Sequence, residues 1–414
     1  MRSLSNDGQM WASVDRRVAL FKFIDHWLGG LLCFFLAFFH RATRPFYRTY
    51  TAAAFRRPPR AIWVMKFFGL GSIVLAAPMV QGIRAKYPGA KLTFLTFQEN
   101  VDLARRLDLG DEIRAIETAN PFKLAASIFS TLIAFSLRKP DVVVDLEFYS
   151  KFGTLMSYFS GAPWRLGFYL PLFWRNSLVN VPISFNHSRH ILDMYRMAGE
   201  ALGVIEAPVR RVDIPLGEDE RNAVRRILHE RAVGERDILL GVNVNASFVM
   251  DCRKWPLENF GALINRLLKT AGGIKVILTG TRKEAAYTAS LFQHIDESLR
   301  PRVINLAGAL SFGEFIALLK ELKLMLTNDS GPFHLAKAQG TPTVSIWGPG
   351  NPGLYGPYGD EDKTHRVLYK RWPCSPCLYL YRTDAGRFCE KTVPCLKAIG
   401  VEEVLEAVRA GLAS

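Results

Sequence analysis

The sequence predicts two doubly wound α/β domains, each a parallel sheet covered by helices, with a helical segment ahead of them. The chain has 414 residues, which is enough for two domains with full hydrophobic cores. Short β-prone runs alternate with helical segments of ten or more residues, and parallel strands need connections of that length. The alternation forms two series that join near residues 212–220, so we expect two Rossmann-like domains that face a cleft.

These two series set the expected domain boundaries. Residues 1–60 precede the first strand, and the N-terminal domain is expected at 61–215. The C-terminal domain is expected at 216–395. A final helix, residues 396–414, could pack back on the N-terminal domain.

The individual elements follow from the spacing of apolar residues. A β-prone run at 61–67 leads into a glycine turn, GLGS (69–72), and the second series begins with a similar run at 237–245. The remaining elements are expected as strands at 91–97, 141–147, 165–170, 274–280, 303–308, 322–327 and 342–348, and as helices at 73–87, 190–203, 257–272, from 282, from 311, and at 332–340.

The first sixty residues are strongly basic, with ten Lys or Arg against three Asp, in a chain whose net charge is +15. In their midst, residues 27–39 (WLGGLLCFFLAFF) carry no charged side chain. A helix of this length is roughly 20 Å long, shorter than the ~30 Å hydrocarbon core of a bilayer. We therefore interpret residues 1–60 as an interfacial anchor for an anionic membrane surface. The alternative is an amphipathic helix packed on the protein's own core.

A second segment with a clear chemical meaning is 327–352, TNDSGPFHLAKAQGTPTVSIWGPGNP, which places a tight turn between a strand and a helix. Pro332 favours the start of the helix there, and Gly340 favours its end. Free backbone N–H groups and the helix dipole attract anions at such a turn. We therefore expect the N–H groups of residues 330–333 to face an anionic ligand.

The side chains of this turn extend the expected anion site. Asp329 could cap the helix or accept a hydroxyl group of the ligand, and Ser330 adds a hydroxyl of its own. Gly331 allows the close turn, and His334 lies one turn into the helix, within reach of a phosphate.

The same run resembles the signature of glycosyltransferase family 9, the group that contains the lipopolysaccharide heptosyltransferases. The family pattern is Asp-Thr/Ser-Gly-Pro-x-His-x-Ala-x-Ala-x-Gly-x-Pro followed by Phe/Trp-Gly-Pro. It stands here as DSGPFHLAKAQGTP (329–342) and WGP (347–349). Weaker similarities cover the chain from about residue 61 to about residue 400.

The resemblance implies the GT-B fold, a nucleotide-sugar donor bound in the C-terminal domain, inversion at the anomeric carbon, and no required metal or cofactor. It implies a hexosyl- or heptosyltransferase whose acceptor is a lipid-linked or lipopolysaccharide-type glycan. Together with the basic segment, it implies the cytoplasmic face of a bacterial inner membrane. The alternative is a catalytically inactive GT-B-like binding or scaffold protein. Charge alone raises nucleic acid as a partner, but no nucleic-acid-binding pattern accompanies it, so none is expected.

The resemblance also implies donor-binding residues in the C-terminal domain. A basic residue before Trp-Pro contacts the donor phosphates in the family, and Arg253 stands at that position with Lys254 beside it. A guanidinium can hold phosphate oxygens with two N–H groups. Ser247 ends the preceding strand and belongs to the same expected site. Glu284 could bind the ribose, with helix capping as an equal alternative.

At one position this chain departs from the family. The usual first loop is Gly-Asp, whose Asp takes the proton of the acceptor hydroxyl, whereas here Gly71 is followed by Ser72. A serine cannot replace a carboxylate as a general base near neutral pH. Asp145 and Glu147 follow a neighbouring strand and would share one face if that strand continued. We therefore expect Glu147 to be the relocated base, with Asp145 as the second candidate; the alternative is that Glu147 pairs with Lys151 or caps the next helix.

The C-terminal region holds four cysteines, Cys374, Cys377, Cys389 and Cys395. Their spacing could hold a structural metal through four thiolates. The second pair lacks the C-x2-C spacing that is usual for a zinc ribbon, so this metal site is not favoured. A disulfide pair and reduced, packed thiols remain open alternatives.

Overall fold

The computed structural model describes residues 24–43, 57–170, 174–204, 212–246, 251–358, 364–377 and 393–414. The chain divides into two compact units, Met1–Val212 and Asp213–Ser414. Each unit is built on a six-stranded sheet in which every pairing is parallel. The prediction of two doubly wound α/β domains is therefore confirmed.

The first sheet has the strand order β3-β2-β1-β4-β5-β6, which is the order of dinucleotide-binding Rossmann domains. Its strands are β1 (Ala61–Met65), β2 (Lys91–Phe97), β3 (Glu112–Ile116), β4 (Val142–Asp145), β5 (Trp164–Tyr169) and β6 (Val181–Ser184). The order reverses between β1 and β4. Ligands of such sheets bind beyond the carboxyl ends of the strands at this switch point.

The described helices of the first unit cover both faces of this sheet. They are α1 (Gly30–Thr43), α2 (Leu70–Lys86), α3 (Val101–Arg106), α4 (Pro121–Arg138), α5 (Lys151–Phe159) and α6 (Ile191–Glu200). Helix α1 continues directly from a π-helical turn at Asp25–Gly29. Helix α4 begins after Asn120, whose side chain accepts a hydrogen bond from the Lys123 N–H group.

Helix α2 differs from the prediction at its start. Gly69 has φ +84°, a conformation that favours glycine, and it ends the loop after β1. Leu70, Gly71 and Ser72 already belong to the first turn of the helix. The predicted glycine turn at 69–72 is thus shorter than expected, because only Gly69 lies outside the helix.

The second sheet repeats the topology of the first, with the order β12-β11-β10-β7-β8-β9. Its strands are β7 (Ile238–Asn243), β8 (Ile274–Leu278), β9 (Val303–Asn305), β10 (Leu324–Asn328), β11 (Thr343–Trp347) and β12 (His365–Tyr369). The switch point here lies between β7 and β10. The strand–turn–helix segment predicted from 327–352 follows β10, so it lies at this switch point.

The described helices of the second unit are α7 (Glu218–Glu230), α8 (Leu257–Thr270), α9 (Ala285–Ser290), α10 (Phe312–Glu321), α11 (Gly331–Gln339), α12 (Pro352–Tyr355), α13 (Pro394–Lys397) and α14 (Val401–Ala413). The final helix, α14, belongs to the core of this unit through Val404, Leu405 and Val408. The indole N–H of Trp255 donates to the Ile399 carbonyl at 3.0 Å, just ahead of α14. The last helix is thus an integral part of the second unit.

Three strands were not predicted from the sequence: β3, β6 and β12. Each lies at the edge of its sheet, where one side of the strand has no neighbouring strand. Their residues are largely half-buried or alternate between buried and exposed, so they lack the continuous apolar runs of the central strands. The missing apolar signal explains why the sequence did not reveal them.

Candidate active site

The switch point of the second unit is held together by Asn328, the last residue of β10. Its side-chain N–H group donates to the carbonyls of Val244 and Asn245, at 3.0 and 3.1 Å, in the segment after β7. Its side-chain oxygen accepts from the Trp255 N–H group at 3.1 Å. One buried amide therefore joins the loop after β7 to the turn after β10. No local sequence pattern marks this residue as part of the site.

The turn after β10 offers fewer donors than the sequence predicted. Pro332 has no N–H group, and the Phe333 N–H donates to the Ser330 carbonyl at 3.2 Å. The N–H groups of Ser330 and Gly331 precede or begin α11, where no intrahelical partner exists. The expected set of donors at residues 330–333 thus reduces to two, both at the positive end of the helix dipole.

The Ser330 and Asp329 side chains do not cap the helix. The Ser330 hydroxyl donates to the Asn328 carbonyl at 3.2 Å and lies 3.1 Å from the Thr327 hydroxyl. Asp329 instead forms an ion pair, with its Oδ2 atom 3.6 Å from Nη1 of Arg253. Burial raises the pKa of the Asp329 carboxyl above its ordinary value, and the Arg253 guanidinium opposes that rise.

Gly350 gives the Asp329 carboxylate the space it occupies. A Cβ at position 350 would lie 2.1 Å from Oδ2 of Asp329 and 3.5 Å from the Trp347 ring. The WGPG segment (347–350) at the end of β11 therefore lies directly against the Asp329 carboxylate. The close approach requires a glycine here.

Arg253 lies just before the Trp255-Pro256 pair that precedes α8, as the resemblance implied. Its Nε atom is buried and has no hydrogen-bond partner among the described residues. Beside it, the Lys254 ammonium lies over the Tyr287 ring, 4.2 Å from the centroid. The structure thus brings Arg253 and Asp329 together and directs Lys254 towards an aromatic face.

The other predicted donor-site residues have different surroundings. Glu284 accepts hydrogen bonds from the N–H and hydroxyl groups of Thr281, at 2.8 and 2.9 Å, and so takes part in a capping box. Its proposed contact with a ribose stays a prediction. His334 is buried in the first turn of α11, where its ring meets Phe333 edge-on. Ser247 lies outside the described residues.

The switch point of the first unit is occupied by a carboxylate. Glu147 is 2% exposed, and its Oε1 atom accepts three hydrogen bonds: from the Lys66 ammonium at 2.8 Å, the Phe67 N–H at 2.7 Å and the Phe68 N–H at 3.0 Å. These donors follow β1, whereas Glu147 follows β4. The Oε2 atom takes none of these bonds. Glu147 therefore binds the segment between β1 and α2, a few residues ahead of Ser72.

The Lys66–Glu147 ion pair excludes both alternative roles of Glu147, which were a pair with Lys151 and a cap of the next helix. The partner is Lys66, and Lys151 is instead the first residue of α5. The N-cap of α5 is Ser150, whose hydroxyl accepts from the Gly153 N–H at 3.4 Å. Glu147 neither pairs with Lys151 nor caps the helix.

Asp145 is buried, and both of its carboxylate oxygens bind neighbouring groups of the protein. Its strand ends at Asp145, so the condition for a shared face with Glu147 is not met. The Oδ1 atom accepts from the Glu147 N–H at 3.0 Å, and Oδ2 accepts from the Thr154 hydroxyl at 3.2 Å and lies 3.5 Å from Nη2 of Arg175. Complete burial raises the pKa of Asp145 to about 6, against the opposing effect of Arg175.

Two further residues, neither of them predicted from the sequence, position this loop. Arg175, 1% exposed, donates to the Phe148 carbonyl at 2.6 Å and to the Glu147 carbonyl at 2.9 Å. Asn100 donates to the Phe67 carbonyl at 2.8 Å, which fixes the peptide that Glu147 binds from the other side. No local sequence pattern could have revealed these contacts, since the partners lie 27 to 33 residues apart.

The cysteine hypothesis remains a prediction because Cys389 lies outside the described residues. Cys395 is buried in the second unit, whereas Cys374 is exposed. Within the described ranges, no group of three or more His, Cys, Asp or Glu side chains is arranged to hold a metal ion.

Two Rossmann-like units with the same strand topology are the architecture that the resemblance to glycosyltransferase family 9 implies. A family model described as "Glycosyltransferase family 9 (heptosyltransferase)" matches residues 153–380. The chain therefore belongs to glycosyltransferase family 9, and it is a glycosyltransferase.

Individual relatives agree with this assignment. The chain is 30% identical to the lipooligosaccharide heptosyltransferase 2 of Haemophilus influenzae over 136 residues, which span 33% of this chain and 38% of that protein. It is 25% identical to a lipopolysaccharide heptosyltransferase 3 of Escherichia coli over 289 residues, 67% of this chain and 80% of the relative. Among solved structures, a family 9 glycosyltransferase of Veillonella parvula has the same fold, with a TM-score of 0.68 and 21% identity over 86% of this chain and 97% of the other.

Proposed function

We propose that the protein transfers a heptose or a related hexose from a nucleoside diphosphate donor to a lipid-linked, lipopolysaccharide-type glycan, with inversion at the anomeric carbon. The names of its relatives, which are lipopolysaccharide and lipooligosaccharide heptosyltransferases, support this choice of donor and acceptor. The observation that carries the donor assignment is the buried Nε atom of Arg253. It has no hydrogen-bond partner in the described part of the chain.

An unpaired buried guanidinium N–H group is costly, on the order of 1–3 kcal/mol, unless a ligand completes it. A diphosphate has oxygens of the right charge and geometry. Arg253 is held against Asp329 at the end of β10, and the N–H groups of Ser330 and Gly331 lie at the same switch point. These donors would stabilise the negative charge that develops on the leaving phosphate without a metal ion.

The proposed base is Glu147. Its carboxylate would take the proton of the acceptor hydroxyl through Oε2, while Oε1 stays bound to Lys66 and the loop after β1. The acceptor oxygen then forms a bond to the anomeric carbon as the bond from that carbon to the phosphate oxygen breaks. The nucleoside diphosphate leaves with the electron pair, and Glu147 holds the proton.

The membrane association is proposed from the helix that begins at Asp25 and ends at Thr43. Its exposed apolar side chains include Trp27, Leu31, Phe35 and Phe38. Among the described residues, none of the helices is both long and apolar enough to cross a bilayer. The basic residues on either side of the run favour an anionic surface, so we propose peripheral attachment to the cytoplasmic face of a bacterial inner membrane.

The second candidate is a membrane-bound GT-B-like protein that binds its ligands without turnover. One observation favours it: Ser72 stands where the family has its catalytic Asp. The two candidates differ in the fate of the donor, since only an enzyme cleaves the bond between sugar and phosphate.

The test is a panel of nucleotide sugars, including ADP- and UDP-linked hexoses and an ADP-linked heptose, incubated with the detergent-purified protein. We expect one donor to raise the melting temperature and to be hydrolysed slowly. Arg253→Ala and His334→Ala should weaken both effects, and donor titration well below the melting temperature of each variant separates this loss from the cost of removing a buried side chain. Binding without hydrolysis or transfer to a lipopolysaccharide core acceptor would favour the binding protein, and no response to any donor would refute the donor site.

A further inference from the structure

The N-terminal helix docks on the first unit through a narrow stripe of side chains. Asp25, Gly29, Cys33 and Ala37 recur at every fourth position and are all buried. A Cβ at Gly29 would lie 3.0 Å from the Cβ of Lys151, so the two helix backbones approach closely. The helix is thus attached to the unit by defined contacts along one face.

Asp25 is the one ionisable carboxylate in this stripe, and it binds the first turn of α5. Its Oδ1 atom accepts from the Phe152 N–H group at 2.7 Å and from the Ser150 hydroxyl at 3.4 Å. Its Oδ2 atom accepts from the Lys151 N–H group at 3.2 Å. A residue more than a hundred positions earlier therefore satisfies N–H groups that have no partner within α5.

The segment that Asp25 holds begins three residues after Glu147. The other end of the connecting loop is held by Arg175, which binds the carbonyls of Glu147 and Phe148. Arg175 belongs to a short 3-10 helix whose Trp174 ring meets Phe34 of α1 edge-on, at 4.9 Å between centroids. The N-terminal helix thus contacts both supports of the Glu147 loop.

We propose that Asp25 is a positioning residue for Glu147, so that the N-terminal helix completes the active site of the first unit as well as binding the membrane. The proposal rests on the proposed role of Glu147 as the base. Asp25 fixes where α5 starts, and the start of α5 fixes the loop that presents the carboxylate. A displacement of about 1 Å at a reacting group can lower turnover on the order of 100-fold.

The first experiment compares Asp25→Ala with Asn120→Ala in the full chain, with a soluble acceptor analogue. Asn120 caps α4 of the same unit, so its loss is a matched control for the general cost of removing a helix cap. We expect Asp25→Ala to lower kcat by about 10- to 100-fold with the donor KM unchanged, because only the base is displaced. Asn120→Ala should retain the kcat of the wild type. Asp25→Asn should restore part of the loss, since asparagine is also a good cap acceptor.

Two further measurements separate positioning from simple destabilisation. In a Glu147→Gln background, Asp25→Ala should cause little additional loss of kcat, since both changes remove the same step. An equal loss in both backgrounds, or wild-type kcat in Asp25→Ala alone, would overturn the proposal. Hydrogen exchange at the Lys151 and Phe152 amides needs no turnover, and it should be faster in Asp25→Ala than in the wild type. Unchanged exchange would overturn the inference even in an active enzyme, whereas absence of transfer by the wild type would instead refute the proposed function.

Discussion

Replacement of Gly350 by alanine should damage the donor site without a change of charge. The new Cβ would lie 2.1 Å from Oδ2 of Asp329, a distance that real Cβ atoms essentially never show. Ordinary contacts of this kind begin at 3.4 Å, so the carboxylate must withdraw by roughly 1.3 Å. The atom that has to move is the one that pairs with Arg253.

The size of the effect follows from that displacement. Overpacking of a buried site costs about 1–3 kcal/mol of stability. A shift of about 1 Å in a group that positions a substrate can cost on the order of 100-fold in rate. Since Asp329 holds the Arg253 guanidinium, we expect Gly350→Ala to weaken donor binding and to lower kcat/KM by about 10- to 100-fold.

The assay combines donor titration by calorimetry with transfer kinetics on a soluble acceptor analogue. Gly353→Ala is the matched control, because its Cβ would meet only the Asn351 side-chain oxygen, at 3.3 Å, within the same segment. The control should retain donor affinity and turnover. If Gly350→Ala binds the donor as tightly as the wild type and transfers at the same rate, the Asp329–Arg253 pair is not part of the donor site.

Three further predictions concern the first unit. Glu147→Gln should lower the transfer rate by about 100-fold or more with donor affinity preserved, since a general base contributes roughly 10²–10⁴-fold. Ser72→Ala should lower the transfer rate only slightly. Full activity in Glu147→Gln would move the proposed role to Asp145. The folded-state pKa of Asp145, about 6, lies above its unfolded value near 3.8, so its stabilisation is complete below pH 3.8 and is lost as the pH rises through 6. Chemical denaturation should therefore show the stability of the wild type relative to Asp145→Asn falling by about 2 kcal/mol between pH 4 and 7.5, and a constant difference would contradict this titration. Deletion of residues 1–57 should release the protein from anionic vesicles, as expected from the sequence. It should also lower turnover because Asp25 is lost. A deleted protein that still pellets with vesicles would place the anchor elsewhere.

If the protein without residues 1–57 still binds vesicles, helix α4 is the structural candidate for the remaining anchor. Helix α4 exposes Phe122, Phe129 and Leu137, and all three are more than half exposed. They lie at intervals of seven and eight residues, and therefore along one face of the helix. Serine replacements at these positions in the deleted protein would show whether they bind the vesicles.

The sequence predicted the central strands of both sheets because they are continuous apolar runs. Residues 91–97 were predicted as a strand, and β2 has the same bounds. The edge strand β3 (EIRAI) was missed because its polar residues face partly towards solvent. A continuous apolar run indicates a strand that is buried on both faces of the sheet. This signal therefore identifies central strands more reliably than edge strands.

The candidate sites were predictable only where they depend on local sequence. The turn at Asp329–His334 carries a recognisable run, and the structure places it at a switch point. The prediction counted too many N–H donors in this turn. The sequence itself shows part of the error, because Pro332 has no N–H group. The Lys66–Glu147 pair joins residues 81 positions apart, and such a contact follows from strand order. Strand order cannot be read from apolar spacing, because the same runs fit several sheet topologies.

The two switch points use one arrangement of the chain in opposite ways. In an open α/β sheet, the N–H groups of the loop after the first strand are a common binding site for phosphate. In the first unit, the N–H groups of Phe67 and Phe68 in that loop are already bound by the Glu147 carboxylate. A diphosphate there would have to displace an anion that belongs to the protein and that is paired with Lys66. In the second unit, the Asp329 carboxylate pairs with Nη1 of Arg253, but it binds neither the Nε atom of Arg253 nor the N–H groups of Ser330 and Gly331. This difference supports our proposal that the donor diphosphate binds in the second unit and that the group that accepts the sugar binds in the first unit.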